Sequence, residues 1–285
     1  MNWNRQTLAP GLYLVATPIG TARDITLRAL DVLASADVLA AEDTRTLRKL
    51  MDLHAVPLEN RPLWSYHDHS RTGDLRRVVD AISSGQSVAY ASEAGTPLIA
   101  DPGYELVRAV RDAGGLVTSA PGPSALATAL SIAGLPTDAV HFAGFLPSSR
   151  QARRTALAEL GQIAATVVLY ESPKRVAACL ADAAEVLGDR PAALARELTK
   201  RFEEVRQGSL AELAASTAET PPKGECVILI DRAAQGAAEA VDLDAALHDA
   251  LTKMSLKEAV TAVSGALGLP RRKVYQRALE LKSSG

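Results

Sequence analysis

Cysteine is nearly absent from this chain, with only Cys179 and Cys226 among 285 residues. The two lie far apart in the sequence, and neither belongs to a CxxC motif or to a cluster of cysteine and histidine. Neither a disulfide framework nor a metal site is therefore predicted. So few cysteines are typical of proteins in a reducing compartment, and a cytoplasmic location is predicted.

Long apolar runs and a surplus of either charge are also missing. No uninterrupted apolar run approaches about 20 residues, the length that crosses a membrane, and the N-terminal segment lacks the pattern of a signal peptide. The formal net charge is -2, so contact with RNA must depend on local basic patches. Aromatic residues make up 4% of the chain, which argues against a surface built for stacking bases.

Apolar residues are abundant, at 47%, and they occur in short runs that end in turn residues or carboxylates. These runs alternate with segments of helical periodicity, which indicates an α/β fold with a largely parallel sheet. Thr26 is the predicted N-cap of the first helix. Strands are predicted at 12–16 and 86–92, with helices at 26–36, 74–84 and 104–114.

A chain of this length exceeds the usual size of a single core, so we predict two α/β domains followed by a small helical module. The predicted domains are 1–136 and 137–235, and the helical module covers 243–285. The boundaries fall at the turn from Gly134 to Pro136 and at a small, polar, linker-like segment, 233–242. The helical module has a Gly-Leu-Pro turn before a basic helix, which is typical of a helix-turn-helix.

Three loops rich in glycine, proline and carboxylates follow the predicted strands, at 17–24, 42–46 and 93–103. Ligands of open α/β sheets bind at the carboxyl ends of the strands, so these loops are expected to converge on one site. Neither GxxxxGK[ST] nor a GxGxxG after a strand is found, which disfavours nucleoside triphosphates and Rossmann dinucleotide binding. A pocket of backbone groups with few cations suits a ligand of neutral or mixed charge.

Ten segments of the chain, taken in order, carry a more specific signal. They are VATPIG (15–20), DITLRAL (24–30), AAEDTRTLRKL (40–50), SYHDHS (65–70), SEAGTPLIADPGYELV (92–107), APGPSALATALSIAGLPTD (120–138), FAGFLP (142–147), YESPKR (170–175), RELTKRFEEVRQG (196–208) and PKGECVI (222–228). In order and spacing they resemble the ribosomal small subunit methyltransferase I family of the tetrapyrrole methylase superfamily, over about residues 11 to 282.

This resemblance implies two α/β domains that hold S-adenosylmethionine in a cleft between them, and a homodimer. It implies methyl transfer to the ribose 2′-oxygen of a cytidine in 16S rRNA of the small ribosomal subunit. The family commonly has Asp at position 93 and Asn at positions 21 and 70, where this chain has Glu93, Thr21 and Ser70. The residues implied in cofactor binding are Pro18, Glu93, Gly95, Thr96, Pro97, Ser124, Ala125 and Tyr170.

Methyl transfer to a hydroxyl requires alignment of the reacting atoms and removal of a proton from a weak acid. From the carboxylates and bases near strand ends we predict Glu42, Asp43 and Lys200 as catalytic residues. Each also has a structural interpretation. Asp43 suits the N-cap of the helix that follows, and Lys200 lies in a charged run typical of a solvated surface. His67 and His69 are interpreted as polar loop residues.

The predicted RNA-binding residues come from three basic groups and are Arg45, Arg154, Arg271, Arg272 and Lys273. The last three open the helix after the Gly-Leu-Pro turn, a position from which helix-turn-helix modules commonly contact phosphates. A solvated helix face is the structural alternative. Two other functions stay open, namely a methyltransferase acting on a tetrapyrrole or another small molecule, and a non-catalytic RNA-binding ribosome-assembly factor. The first loop lacks the GxGPGDxxLLT-like pattern of tetrapyrrole-modifying relatives, which favours RNA.

Overall fold

In the computed structural model, the described residues are 2–67, 72–101, 103–233, 237–267 and 270–283, apart from the side chains at 72, 237–242, 273, 282 and 283. The chain divides into two compact units, Met1–Asp231 and Arg232–Gly285. Two five-stranded sheets lie in the first unit, and the second unit is helical. The α/β class is confirmed, whereas the bounds of the three predicted domains stay a prediction. Within the described part, no helix is long and apolar enough to cross a membrane.

The first sheet is parallel throughout, with strand order β3-β2-β4-β1-β5. Neighbouring strand residues such as Leu12 and Tyr13 belong to different buried clusters, because successive side chains point to opposite faces and helices cover both. The strands are β1 (Gly11–Val15), β2 (Val38–Ala41), β3 (Leu63–Ser65), β4 (Ser87–Ala91) and β5 (Val117–Ala120), and the helices between them are α1 (Leu27–Ser35), α2 (Thr44–Leu53), α3 (Thr72–Ser83) and α4 (Tyr104–Asp112).

The second sheet has the order β6-β7-β10-β8-β9 and is mostly antiparallel, so the expectation of largely parallel pairing holds only for the first sheet. For β8 and β9 the reason is their short connection, which permits a hairpin but not a crossover. The elements are β6 (Val140–Phe145), β7 (Thr166–Glu171), β8 (Pro191–Arg196), β9 (Glu204–Ser209) and β10 (Cys226–Ile230), with helices α5 (Ala125–Ile132), α6 (Arg150–Leu160), α7 (Val176–Leu187) and α8 (Leu210–Glu219).

One buried cluster joins the two sheets. Ala129 of α5 packs with Val168 and Val227 of the second sheet, and Ile19 from the loop after β1 is buried in the same cluster. The carboxyl edge of the first sheet is thereby fixed against the second sheet.

Side-chain caps fix the starts of α1 and α2, as the sequence predicts. Thr26 Oγ1 accepts a hydrogen bond from Ala29 N–H at 3.1 Å. Asp43 Oδ1 accepts from Arg45 N–H at 2.8 Å and from Thr46 N–H at 3.4 Å. Each cap satisfies backbone donors that have no partner within the helix.

The C-terminal unit consists of α9 (Ala237–Lys253), α10 (Leu256–Leu267) and α11 (Arg271–Ser283). Its core includes Leu247, Val260 and Val274. Helix α9 begins inside the segment 233–242, which we predicted as a linker, so its second half is helical instead. Small, alanine-rich sequence is compatible with both outcomes, because alanine favours helix when a core is available.

Candidate active site

The loops after β1 and β4 are joined by backbone hydrogen bonds at the carboxyl edge of the first sheet. Thr17 N–H donates to Gly95 O at 2.9 Å, and Gly95 N–H donates to Thr17 O at 3.0 Å. The buried Thr17 hydroxyl donates to Ser92 O at 3.3 Å, and the Ser92 hydroxyl donates to Gly95 O at 3.0 Å. The predicted loops 17–24 and 93–103 therefore meet.

Gly95 lies where three loops approach one another. Its φ is +85°, a left-handed conformation that glycine adopts at little cost. A Cβ at this position would lie 3.3 Å from Ile19 Cγ2. The next residue, Thr96, donates through Oγ1 to Pro123 O at 2.9 Å, which adds the loop after β5 to the group. Among the residues implied in cofactor binding, Thr96 makes one of these contacts, and Pro18 and Pro97 lie next to contacting residues in the chain.

The first turn of α5 offers polar groups that the helix itself does not use. Ser124 occupies the N-cap position, but its side chain makes no capping hydrogen bond. Within the described part of the chain, its hydroxyl has no hydrogen-bond partner. The N–H groups from Ala125 onward belong to the first turn, where donors lack intrahelical acceptors. Ser124 and Ala125 are therefore placed to bind acceptor atoms of a ligand.

Tyr170, at the end of β7, is half-buried and packs edge-on against Phe142 and Phe145, with ring centroids 4.9 and 5.8 Å away. Burial raises the pKa of Tyr170 to about 12, a hydrogen bond with the Leu126 backbone opposes that rise, and the negative charge of Asp101 adds to it. The phenol is therefore neutral at physiological pH.

A cavity of about 350 Å³ lies where the loops after β1 and β5 meet the β8–β9 turn. Its polar lining comes from Asp24, Thr26, Thr128 and Thr199. The Oδ2 atom of Asp24 is buried without a hydrogen-bond partner. Asp24 and Thr199 were not among the residues chosen from the sequence, although Asp24 lies in the predicted loop 17–24. No sequence motif identifies Asp24 as a site residue, because only folding brings Thr199 beside Asp24.

Glu42 lies at the same edge of the first sheet. Its Oε2 accepts a hydrogen bond from Glu93 N–H at 3.3 Å, and its side chain is half-buried. This contact involves the Glu93 backbone, whereas the Glu93 side chain is exposed. Glu42 is therefore joined to the loop after β4 through the backbone of Glu93, and the Glu93 carboxylate takes no part in this contact.

Asp43 is engaged in capping α2. Hydrogen bonds from the backbone and side chain of Arg45 hold the pKa of Asp43 below its usual value. A carboxylate with a lowered pKa is a weaker proton acceptor. This arrangement supports the structural interpretation of Asp43 that the sequence left open.

Lys200 forms ion pairs with Glu197 Oε1 at 3.1 Å and Glu225 Oε2 at 2.9 Å. Burial lowers the pKa of Lys200, but the hydrogen bonds to Glu225 and Glu197 outweigh it, so the pKa lies above its usual value. The amine is therefore protonated at neutral pH and acts as a cation. In the part of the chain that the structure describes, no hydrogen bond or ion pair joins Lys200 to Glu42 or Asp43.

The predicted RNA-binding arginines differ in how free they are. Arg154 pairs with Asp182 Oδ1 at 3.5 Å and with Glu185. Arg45 is 87% exposed and contacts a single carboxylate, that of Asp43, at 3.4 Å. Carboxylates therefore compete with phosphate more strongly at Arg154 than at Arg45.

In the C-terminal unit, the first turn of α11 is basic. Arg271 Nη2 donates to Thr261 Oγ1 at 2.9 Å, and both Arg271 and Arg272 are exposed. The side chain of Lys273 lies outside the described residues, as do His69 and Ser70 of the loop after β3.

Comparison with protein families and solved structures identifies the family to which this fold belongs. The family described as Tetrapyrrole (Corrin/Porphyrin) Methylases matches residues 11–214. A uroporphyrin-III C-methyltransferase from Thermus thermophilus has a TM-score of 0.55 and 23% identity, over 78% of this chain and 94% of that one. A second structure with the same enzyme name and source, complexed with S-adenosyl homocysteine, has a TM-score of 0.52 and 21% identity, over 77% of this chain and 96% of that one. The chain has the fold of the tetrapyrrole methylases.

The rest of the chain and closer relatives narrow the family. Residues 237–282 match the family described as RsmI C-terminal HTH domain. Relatives named Ribosomal RNA small subunit methyltransferase I include one from Mesorhizobium japonicum, 45% identical over 97% of this chain and 94% of the relative. Another, from Vibrio cholerae, is 44% identical over 95% of each. The chain belongs to the ribosomal RNA small subunit methyltransferase I family, which confirms the resemblance found in the sequence.

Proposed function

We propose that this protein transfers a methyl group from S-adenosylmethionine to the ribose 2′-oxygen of a cytidine in 16S rRNA of the small ribosomal subunit. One observation carries the proposal: relatives named as ribosomal RNA small subunit methyltransferases match nearly the whole chain at 44% and 45% identity. The tetrapyrrole-modifying structures are less than 25% identical and support the fold alone. An enzyme acting on rRNA is therefore favoured over one acting on a tetrapyrrole.

The loops at the carboxyl edge of the first sheet, together with Tyr170 of the second sheet, fit S-adenosylmethionine. Gly95 leaves room that a side chain would fill, and Ser124 offers a hydroxyl beside the free N–H groups of α5. Tyr170 supplies a half-buried aromatic face for an adenine ring. When bound, the cofactor supplies a methyl group on a sulfonium, which makes sulfur a good leaving group. The cofactor set stays as predicted, with Pro18, Glu93, Thr96, Pro97 and Ala125 on the same loops.

The three predicted catalytic residues receive different roles. Glu42 accepts the proton that the ribose hydroxyl releases, through Oε1, because Oε2 already accepts from Glu93 N–H. Asp43 fixes the start of α2 and orients Arg45. Lys200 remains a cation held by two carboxylates and steadies the β8–β9 turn.

RNA contact is proposed at the basic groups that are exposed. Arg45, Arg271 and Arg272 can reach phosphates, and Lys273 follows them in α11. Arg154 is kept as a proposed RNA contact, although it pairs with the carboxylates of Asp182 and Glu185. On the family resemblance we further propose a homodimer that works in the cytoplasm.

Methyl transfer to small ribosomal subunits tests the proposed function. Subunits that lack the modification are incubated with the protein and S-adenosylmethionine labelled in the methyl group, and the rRNA is then digested to nucleosides. We expect the label in 2′-O-methylcytidine. Label found only in a tetrapyrrole substrate, or in no product, contradicts the proposal, and binding of subunits without transfer would support the non-catalytic assembly factor instead.

Replacing Glu42 with glutamine is expected to lower kcat about 100-fold, the range in which a general base contributes. The dissociation constant for S-adenosylmethionine should stay at the parent value, because glutamine can still accept from Glu93 N–H. Asp43→Asn is the matched control, since asparagine caps a helix as well as aspartate does. This variant should retain kcat and the thermal midpoint. An equal loss of kcat in both variants would contradict the separate roles of the two carboxylates.

A further inference from the structure

The β8–β9 turn, residues 197–203, has an unusual backbone. Glu197 has a φ of +50° and Thr199 a φ of +61°. Residues other than glycine rarely adopt this region, and for a β-branched threonine it is a clear outlier. Such conformations persist only where the surroundings hold them, and they concentrate at functional sites.

Several contacts hold this turn against the loop after β1. Thr199 Oγ1 accepts from Thr21 N–H at 3.2 Å, and Thr199 N–H donates to Glu203 Oε2 at 2.6 Å. Gly20 lies so close that a Cβ there would be 2.7 Å from Lys200 Cγ and 2.8 Å from Leu198 O. Together with the ion pairs of Lys200, these contacts fix the position of the turn.

The turn presents two side chains to solvent at its apex. Phe202 is 60% exposed although aromatic residues are scarce in the chain. The guanidinium carbon of the exposed Arg201 lies 5.4 Å from the centre of the Phe202 ring, within the range of a cation–π contact. Among the described residues, Arg201 has no carboxylate partner. The arginines on the flanking strands differ, because Arg196 and Arg206 pair with one glutamate at 2.6 and 2.9 Å.

We propose that Arg201 and Phe202 form a binding site for single-stranded RNA beside the nucleotide to be methylated. Phe202 stacks on a base, and Arg201 contacts a neighbouring phosphate. The position fits, because Thr199 of the same turn lines the cavity that also contains Gly122 and Pro123 of the loop after β5. The inference rests on the proposed function, since it assumes that RNA enters this cavity. The proposed site adds a stacking contact with a base, which neither the basic groups nor the cofactor loops provide.

Direct binding tests the site without methyl transfer. The probe is a fluorescein-labelled, ten-nucleotide single-stranded RNA of mixed sequence, and its anisotropy is measured with the full-length protein at low and rising salt. Phe202→Ala should weaken binding about tenfold, and Phe202→Trp should restore it, because stacking on an aromatic is worth about 1–3 kcal/mol per base. A wild-type protein that does not bind the probe, or Phe202→Ala binding as tightly as wild type, overturns the proposal.

The phosphate contact proposed for Arg201 is tested with a matched pair of variants. Arg201→Ala should reduce the slope of log affinity against log salt by about 0.7, the value for one phosphate of a single strand. Arg111→Ala is the control, because Arg111 is exposed in the last turn of α4, at the opposite edge of the first sheet. Equal slopes for Arg201→Ala and Arg111→Ala would count against the phosphate contact.

Kinetics separate this inference from the proposed function. If wild type methylates small subunits, Phe202→Ala should raise KM for the subunit about tenfold, with KM for S-adenosylmethionine unchanged. Unchanged KM for the subunit would overturn the RNA site while the proposed function stands. If wild type transfers no methyl group, the proposed function fails, yet stacking by Phe202 is still decided by the RNA probe. A Phe202→Ala protein that changes oligomeric state would assign Phe202 to a subunit contact and overturn the RNA site.

Discussion

Gly95→Val is expected to abolish S-adenosylmethionine binding, and methyl transfer with it. The φ of Gly95 is +85°, and even a Cβ would lie 3.3 Å from Ile19 Cγ2, so the branched side chain of valine has no room beside the loop after β1. It would occupy space that we assign to the cofactor. Calorimetric titration with S-adenosylmethionine measures the loss, and Gly95→Ala should give a smaller one.

Gly85→Val is the control that shows the effect of backbone strain alone, whereas Gly95→Val combines backbone strain with loss of space. Gly85 also has a positive φ, +92°, but no atom lies within 4 Å of the position of its Cβ. This variant should lose some stability and retain cofactor affinity. If Gly95→Val folds and retains the affinity of wild type, the loop after β4 does not belong to the cofactor pocket.

Asp182→Ala is expected to lower the free energy of unfolding by about 3–5 kcal/mol, the usual effect of breaking a buried ion pair. Asp182 in α7 is 3% exposed, and its Oδ2 lies 2.6 Å from Nη2 of Arg153 in α6, itself 7% exposed. Arg150 Nε adds a contact to Oδ1 at 2.9 Å. Alanine would leave the Arg153 guanidinium buried without its carboxylate. Urea denaturation at neutral pH measures the loss.

Glu185→Ala is the matched control for Asp182→Ala. Glu185 contacts Arg150 and Arg154 of the same cluster, but its side chain is 53% exposed. Because solvent screens such a pair, the expected loss is at most about 1 kcal/mol. Equal losses in the two variants would contradict the importance of burial.

The effect of Asp182→Ala should also depend on pH. Burial alone would raise the pKa of Asp182, but hydrogen bonds from Arg150 and Arg153 outweigh it and hold the pKa below its usual value. A carboxylate with a lowered pKa in the folded state contributes its full stability above the unfolded value of about 3.9. This contribution is lost as pH falls from there through the folded pKa. The difference between wild type and Asp182→Ala should therefore shrink in acid.

Much of the fold could be predicted because it depends on local patterns. Apolar runs that end in carboxylates or glycine marked the main strands of the first sheet, and Thr26 and Asp43 marked helix starts that the structure confirms. The three-residue strand Leu63–Ser65 was missed because it is too short to show periodicity. The antiparallel pairing of β10 with β7 and β8 depends on which strands meet, and no single segment carries that information.

The candidate site was predicted in part. The loops 17–24 and 93–103 were expected to converge, and the hydrogen bonds between Thr17 and Gly95 confirm that they do. Local spacing could not predict the ion pair of Lys200 with Glu225, 25 residues away, or those of Arg154 with carboxylates 28 or more residues away. Exposure of Phe202 likewise follows from how its turn is held.

By itself, the sequence determined the family, the α/β class and the loops that we propose for the cofactor, because these depend on the order and local spacing of short motifs. Only the tertiary structure decided which charged side chains are free to act. Glu42 keeps an oxygen available and Arg201 has no carboxylate partner in the described chain, whereas Asp43 caps a helix and Lys200 is held by two glutamates. The physical reason is that a charge acts over a few ångströms in space, and folding sets those distances.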